Sequence, residues 1–160
     1  EPIAAIAIRE RHQHGTRQDP ATTQTDKIKV MKKAKLITYW VATALLSFGM
    51  LGSGLSQIFQ TQAMIDLVSP LGYPVYFLSI IGVWKVLGVI TILLPGLKLL
   101  KEWAYAGFFF VMTGAAISHL ANGDYTLQAI IGPVMQTLFV ILSWYFRPAG
   151  RKIMAEAPLQ

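Results

Sequence analysis

Residues 75–94 read VYFLSIIGVWKVLGVITILL, an almost uninterrupted apolar stretch that decides the fold class of this chain. A helix of about 20 residues, rising about 1.5 Å per residue, crosses a hydrocarbon core of about 30 Å. The stretch has this length, and its one charged residue, Lys85, lies near the middle. Pro95 and Gly96 follow at once and favour the end of a helix. The pattern predicts a transmembrane helix with a lysine inside the membrane.

Three more stretches of similar character contain no Asp, Glu, Lys or Arg: residues about 36–58, about 103–120 and about 127–146. Across the chain 54% of residues are apolar and 14% are charged, with a mean hydropathy of +0.49. A soluble domain carries about 25% charged residues, so this chain has too few to cover a water-soluble fold. The sequence predicts an all-α fold, a four-helix transmembrane bundle within a membrane domain of residues 31–152. The lipid bilayer is then its first partner.

The positive charges lie at those ends of the spans that would share one side of the membrane. The expected loop at residues 59–74 carries Asp66, and the loop after the third span carries Asp124, but neither has a Lys or Arg. Cytoplasmic segments are enriched in Lys and Arg, so both termini are predicted to be cytoplasmic. The basic residues form no continuous face, so we expect no nucleic-acid partner. They flank the first span, occupy a second expected loop at residues 97–102 and follow the last span: Lys32, Lys33, Lys35, Lys98, Lys101, Arg147, Arg151 and Lys152.

Residues 1–30 differ from the rest of the chain because they are mostly polar. Met31 is followed by lysines and then by the first apolar run, as at a natural start of translation. We predict that residues 1–30 are a disordered extension upstream of the true start; the alternative is a genuine cytoplasmic tail. Residues 153–160 are expected to form a short C-terminal tail.

Lys85 is the residue with the clearest chemical implication. An ammonium at the bilayer centre costs about 2.5–3.5 kcal/mol on insertion scales, so it is expected to face the interior of the bundle. Gly82 and Gly88 lie three residues to either side and would open a groove beside it. One interpretation is a buried cation that binds a carboxylate, a quinone oxygen or a proton. The other is a structural lysine that pairs with another helix or extends its charge towards the interface.

Two further polar residues lie at span ends. Glu102 begins the third span, where it would interact with the helix dipole or, less simply, form an ion pair with Lys85. His119 lies near the other end of that span, followed by Asp124. It is either a ligand-binding group or an interfacial anchor. The chain has no cysteine, and His119 is the one histidine in the membrane domain, so neither a metal site nor bis-histidine haem ligation is expected.

Several strings in this order resemble the DoxX-like family of small bacterial membrane proteins. They are LGYPVYF at 71–77, IGVWKVLG at 81–88, LKEWAYAGF at 100–108, SHLANGD at 118–124 and SWYFRP at 143–148. The resemblance covers about residues 35–148 and implies a multi-pass protein of the bacterial inner membrane. The wider group is similar to a small subunit of a thiosulfate–quinone oxidoreductase, which implies a link to quinones. Its motifs make the following residues the best ligand-binding candidates: Trp84, Lys85, Glu102, Trp103, Ser118 and His119.

Three functions are consistent with these features. The first is a membrane subunit or accessory protein of a quinone-linked redox system, in which Lys85 binds a quinone carbonyl and a partner subunit carries the electrons. The second is a small oligomeric transporter or efflux protein that uses Lys85, Glu102 and His119. The third is a membrane scaffold without catalytic activity. No enzyme motif is present, so the chain is not expected to be an enzyme alone.

The position of the natural start can be tested directly. If translation begins at Met31, peptides from residues 1–30 will be missing when the native protein is digested and analysed by mass spectrometry. Peptides from residues 31–35 onward will be present and will serve as the internal control. Detection of any peptide that ends before Met31 would contradict the prediction and favour a genuine tail.

Overall fold

The computed structural model describes residues 20–153, with side chains from residue 24 onward. Within this range every regular element is helical and no strand occurs. Four of the helices are long and apolar enough to cross a membrane. This confirms the predicted all-α fold with four apolar helices, while the side on which the termini lie stays a prediction. The helices are α1 (Pro20–Ile58), α2 (Gln62–Val68), α3 (Val75–Leu93), α4 (Lys98–Ala121) and α5 (Leu127–Phe146), with short 3-10 helices at Ser69–Leu71 and Ala149–Arg151.

The described part of the chain divides into two compact units, residues 20–35 and residues 36–153. In the first unit, residues 20–35 are helical, and the side chains from residue 24 are exposed. Residues 1–19 of the predicted extension, and residues 154–160 of the predicted tail, lie outside the described residues. Whether residues 1–30 belong to the native protein therefore stays a prediction. The second unit holds the apolar helices and all the candidate site residues.

Two segments expected to be loops are partly helical. In the segment 59–74, α2 occupies Gln62–Val68 and is bounded by residues with left-handed backbone, Gln60 at φ 47° and Gly72 at φ 79°. In the segment 97–102, α4 already begins at Lys98. Pro95 and Gly96, the latter at φ 84°, complete the turn by themselves, so the leucines and lysines that follow are free to form helix. Periodicity in such short segments is too weak to reveal these helices from sequence.

The core of the second unit joins α1, α3, α4 and α5 through buried side chains. Its members are Leu46, Met50, Val89, Ile92, Tyr105, Phe108, Met112 and Val140. Most other large apolar side chains of these helices are exposed, as is usual when the outer surface faces lipid rather than water. The apolar core is therefore small and lies between the helices. Helix packing places the polar groups beside it.

Helix α3 closely approaches its neighbours at the two glycines that flank Lys85. A Cβ atom at Gly82 would lie 2.6 Å from the carbonyl oxygen of Gly54 and 2.9 Å from Cγ1 of Ile58. A Cβ atom at Gly88 would lie 2.6 Å from Cζ of Phe108. The expected groove beside Lys85 is therefore filled by α1 and α4. Small residues at these points let the helices touch, and this contact turns Lys85 inward.

This packing predicts a difference between two glycine-to-alanine changes. Gly82→Ala is expected to destabilise the protein by about 1–3 kcal/mol, because the new methyl group meets backbone atoms of α1 that cannot move aside. Gly107→Ala is the matched control, since nothing lies within 4 Å of a Cβ atom there. The control should leave stability unchanged or raise it slightly through the better helix propensity of alanine. Thermal unfolding in detergent measures both, and equal midpoints would contradict the close contact.

Candidate functional site

A cavity of about 550 Å³ lies in the second unit, between the apolar helices and beneath α2. Its walls are mainly apolar and include Met64 and Leu67 of α2. This volume is in the range of about 300–1,000 Å³ that is typical of small-molecule sites. Polar side chains project from four helices and the α2–α3 connection: Ser53, Gln57, Tyr73, Lys85, Ser118, His119, Gln128 and Gln136.

Lys85 lines this cavity with its side chain almost fully buried, at 5% exposure. Its Nζ donates a hydrogen bond to Oγ of Ser53 at 3.3 Å. No carboxylate of the described residues forms an ion pair with it. An ammonium has three N–H donors, and leaving a buried charge without partners is costly. The cavity therefore offers a cation with unused donors to any ligand that brings an acceptor oxygen or a negative charge.

Two glutamines extend the polar wall on either side of Lys85. Gln57 on α1 and Gln136 on α5 both line the cavity, and their Oε1 atoms are buried without a partner among the described residues. Gln136 occupies the space that Gly49 leaves open, since a Cβ atom at Gly49 would lie 1.7 Å from its Nε2. Buried amide oxygens almost always find a hydrogen-bond donor, so these atoms are ready partners for a ligand or an ordered water molecule.

His119 also lines the cavity, and it is 4% exposed. Its Nδ1 lies 3.0 Å from Oδ2 of Asp124. Oδ1 of Asp124 accepts hydrogen bonds from the Thr126 hydroxyl at 2.8 Å and from the Thr126 backbone N–H at 3.1 Å. These hydrogen bonds lower the pKa of Asp124 below its usual value, and the bond from the Thr126 hydroxyl has the largest effect. A charged carboxylate beside Nδ1 favours the imidazole tautomer with its proton on that nitrogen.

Helix α2 and the connection that follows it cover the cavity. The Tyr73 hydroxyl lies 2.9 Å from Oγ of Ser118, and the Tyr73 ring stacks on Phe77 with centroids 5.3 Å apart. At the other end of the segment, Nε2 of Gln60 donates to Oγ of Ser79 at 3.0 Å. These contacts fix the covering segment to α3 and α4. Ser118 therefore belongs to the wall of the cavity through its bond to Tyr73.

Glu102 does not take part in this cavity. It accepts hydrogen bonds from the Arg147 guanidinium and from Nε1 of Trp144, the latter at 2.8 Å. The Arg147 guanidinium also lies over the Tyr105 ring, 5.2 Å from its centroid. Because α4 begins at Lys98, Glu102 lies beyond its first residues and makes no capping bond. The ion pair between Glu102 and Lys85 considered from the sequence does not form; Glu102 instead ties α4 to the end of α5.

Lys101 and Arg151 donate hydrogen bonds to the carbonyl groups at the end of α3, a role that the sequence did not reveal. The last carbonyl groups of a helix have no partner within it, and cations are favoured there by the helix dipole. Nζ of Lys101 donates to the carbonyls of Thr91 at 2.7 Å and Ile92 at 3.1 Å, and also to Leu94. NH1 of Arg151 donates to the carbonyl of Ile92 at 3.1 Å. The basic residues that follow Pro95 and Gly96, where α3 ends, were the sequence signal that could have indicated this role.

The six residues proposed from the sequence are thus divided among three places. Lys85, Ser118 and His119 line one cavity, and Glu102 lies outside it. Trp84 and Trp103 are 67% and 65% exposed and do not line the cavity. Their assignment as ligand-binding residues stays a prediction without a geometric basis in this cavity.

Several polar residues that share the cavity with Lys85 were not among the candidates proposed from the sequence. Gly49, Ser53 and Gln57 recur at four-residue intervals on α1, so they share one face. Gln128, Gly132 and Gln136 do the same on α5, and all six line the cavity. Small and polar residues at helical spacing inside an apolar span are therefore the signal that would have found them.

A family model described as the DoxX-like family matches residues 41–144. The matched range contains every residue that lines the cavity. Neither a curated protein nor a solved structure matches the chain.

The bond between Glu102 and Arg147 predicts a structural role for this acid. Glu102→Gln leaves the guanidinium of Arg147, whose side chain is 2% exposed, without its counter-charge. We expect a loss of stability of about 1–3 kcal/mol, seen as a lower unfolding temperature in detergent. Asp66→Asn is the matched control, because Asp66 is exposed and bonded to Gln62 alone at 2.8 Å. An unchanged unfolding temperature for Glu102→Gln would rule out this role.

Proposed function

This chain belongs to the DoxX-like family, and from that premise we propose that it binds a quinone in the cavity beneath α2. In this proposal it is a multi-pass protein of the bacterial inner membrane and acts as a membrane subunit or accessory protein of a quinone-linked redox system. The observation that carries the proposal is Lys85, a buried ammonium with unused donors inside a mainly apolar cavity.

The cavity residues fit the chemistry of a quinone headgroup, which is flat and apolar with carbonyl oxygens at its edge. Lys85 would donate a hydrogen bond to one carbonyl, with Ser53 orienting its ammonium group. The apolar walls and the rings of Tyr73, Phe77 and Phe110 would pack against the headgroup. The aromatic contacts in this proposal therefore come from these rings and not from Trp84 and Trp103.

Access from the bilayer is consistent with a lipid-soluble ligand. Phe110 lines the cavity and is also 70% exposed on the outer surface of α4. A cavity wall that is also part of the apolar outer surface suits a ligand that arrives from the hydrocarbon region. With both termini cytoplasmic, the cavity lies towards the opposite face, because its wall includes α2 and the end of α4 next to Asp124.

A bound quinone supplies two-electron redox chemistry, and this chain would bind and orient it. The chain contains no cysteine, so it cannot provide thiolate ligands for an iron–sulfur cluster. A redox partner subunit is therefore part of the proposal. In the alternative, a small oligomeric transporter, Lys85 and His119 would line the pathway without Glu102. The scaffold alternative assigns no role to the cavity, and the unused hydrogen-bond donors of Lys85 favour the quinone proposal over it.

The proposal predicts that the purified protein retains quinone and that Lys85 is required for this. Protein in mild detergent would be extracted with organic solvent, and quinone quantified by mass spectrometry. Wild type is expected to carry quinone in a fixed ratio to protein, and Lys85→Met to lose it, because methionine keeps the apolar bulk but removes all three donors. Lys98→Met is the matched control, since Lys98 is an exposed lysine outside the cavity.

Helical content and unfolding temperature would show that each variant is folded. Absence of quinone from wild type and variants alike, with the helices intact, would remove the main support for a redox role. Proton-coupled flux in vesicles would then test the transporter alternative.

A further inference from the structure

His119 presents a hydrogen-bond acceptor to the cavity, whereas Lys85 presents hydrogen-bond donors. Nδ1 of His119 is committed to Asp124 at 3.0 Å, and Nε2 has no partner among the described residues. A neutral imidazole has one donor nitrogen and one acceptor nitrogen. With the proton held on Nδ1 by the carboxylate, Nε2 is the acceptor, and His119 lines the cavity.

The orientation of His119 is fixed by bonds behind it. Both oxygens of Asp124 are occupied: Oδ2 faces Nδ1 of His119, and Oδ1 accepts from the hydroxyl and backbone N–H of Thr126 at 2.8 and 3.1 Å. The carboxylate therefore cannot turn away without losing three hydrogen bonds. A partner that fixes the tautomer of a histidine also fixes which nitrogen is available to a ligand.

The two polar ends of the cavity place different demands on a ligand. Lys85 can donate to a carbonyl oxygen or to a hydroxyl oxygen, because both have lone pairs. While the His119 ring is neutral with its proton on Nδ1, Nε2 can only accept a hydrogen bond. A hydroxyl satisfies it, whereas a carbonyl oxygen would bring its lone pair against that of Nε2. Lys85 thus does not distinguish the oxidised from the reduced form of a quinone, and His119 does.

We propose that His119, held by Asp124, accepts a hydrogen bond from a ligand hydroxyl, so that the cavity binds the dihydroxy, reduced form of its quinone more tightly than the dicarbonyl form. This inference rests on the proposed function, which concerns quinone binding as such. It adds the oxidation state of the preferred ligand and gives His119 a role distinct from that of Lys85. Within this scheme Asp124 is a positioning residue, since it acts through His119.

The test compares the affinities of one pair of ligands. A short-tailed benzoquinone and its hydroquinone would be titrated anaerobically into the purified, delipidated full chain, with binding followed by calorimetry. Wild type is expected to bind the hydroquinone at least about fivefold more tightly, the value of one additional hydrogen bond. Equal affinities, or tighter binding of the benzoquinone, would overturn the proposal.

His119→Asn is the decisive variant, because its amide can still donate to Asp124 from the position of Nδ1 but offers nothing at the position of Nε2. It is expected to lose the preference for the hydroquinone while its affinity for the benzoquinone stays the same. A preference that survives in this variant would also overturn the proposal. His119→Gln brings an amide to the position of Nε2 and is expected to retain part of the preference.

Asp66→Asn is the matched control, since Asp66 is an exposed acidic residue of α2 that does not line the cavity. Should His119→Asn fail to assemble, Asp124→Asn takes its place, with a weakened preference expected because the tautomer is no longer held. Failure of both ligands to bind wild type would overturn the proposed function together with this inference. Binding of both with equal affinity would overturn this inference alone.

Discussion

The burial of one ammonium group among apolar helices is the constraint on which the rest of this structure depends. A lysine near the centre of a span costs about 2.5–3.5 kcal/mol on insertion scales, so the helices must turn it away from lipid. Gly82 and Gly88 achieve this, because they let α3 touch α1 at Gly54 and α4 at Phe108. With both flanks of Lys85 fixed, its charge can lie only in the interior, beneath α2.

The polar groups of the second unit fall into two classes that differ in how well they are satisfied. Around the end of α3, Lys101 and Arg151 bind backbone carbonyls, and Glu102 binds Arg147. Buried hydroxyls join this end as well, with Thr43 and Tyr105 each 2.7 Å from Ser143. These groups bond to one another or to backbone carbonyls, as expected of groups that hold helices together, although Nε and Nη1 of Arg147 are buried without a partner among the described residues.

The cavity at the other end is different, since its polar groups lack enough partners. Lys85 has one hydrogen bond, the amide oxygens of Gln57 and Gln136 have none, and Nε2 of His119 has none among the described residues. A stable protein rarely leaves several buried polar groups unpaired in one place, and functional sites are the usual exception. Unpartnered atoms of Gln57 and Gln136 surround an open volume of about 550 Å³, whereas Arg147 lies outside the cavity, and this separates a ligand site from a structural network. The membership of the DoxX-like family then supplies the chemical class of the ligand as a proposal.

The sequence by itself determined the four apolar helices, because length and lack of charge are local properties that need no knowledge of packing. It also identified Lys85 and His119, since lysine and histidine side chains inside a span are unusual wherever they occur. Ser118 was proposed through the resemblance to the DoxX-like family. It placed Trp84 beside Lys85 as a candidate, yet adjacent residues on a helix point about 100° apart, and burial of one turns the other outward. Only the tertiary structure decided that Glu102 meets Arg147, that Lys101 and Arg151 close α3, and that α2 covers the cavity. The Arg147 and Arg151 contacts join residues far apart in the chain, and all of these contacts depend on how each helix is rotated about its axis. Local sequence does not specify that rotation.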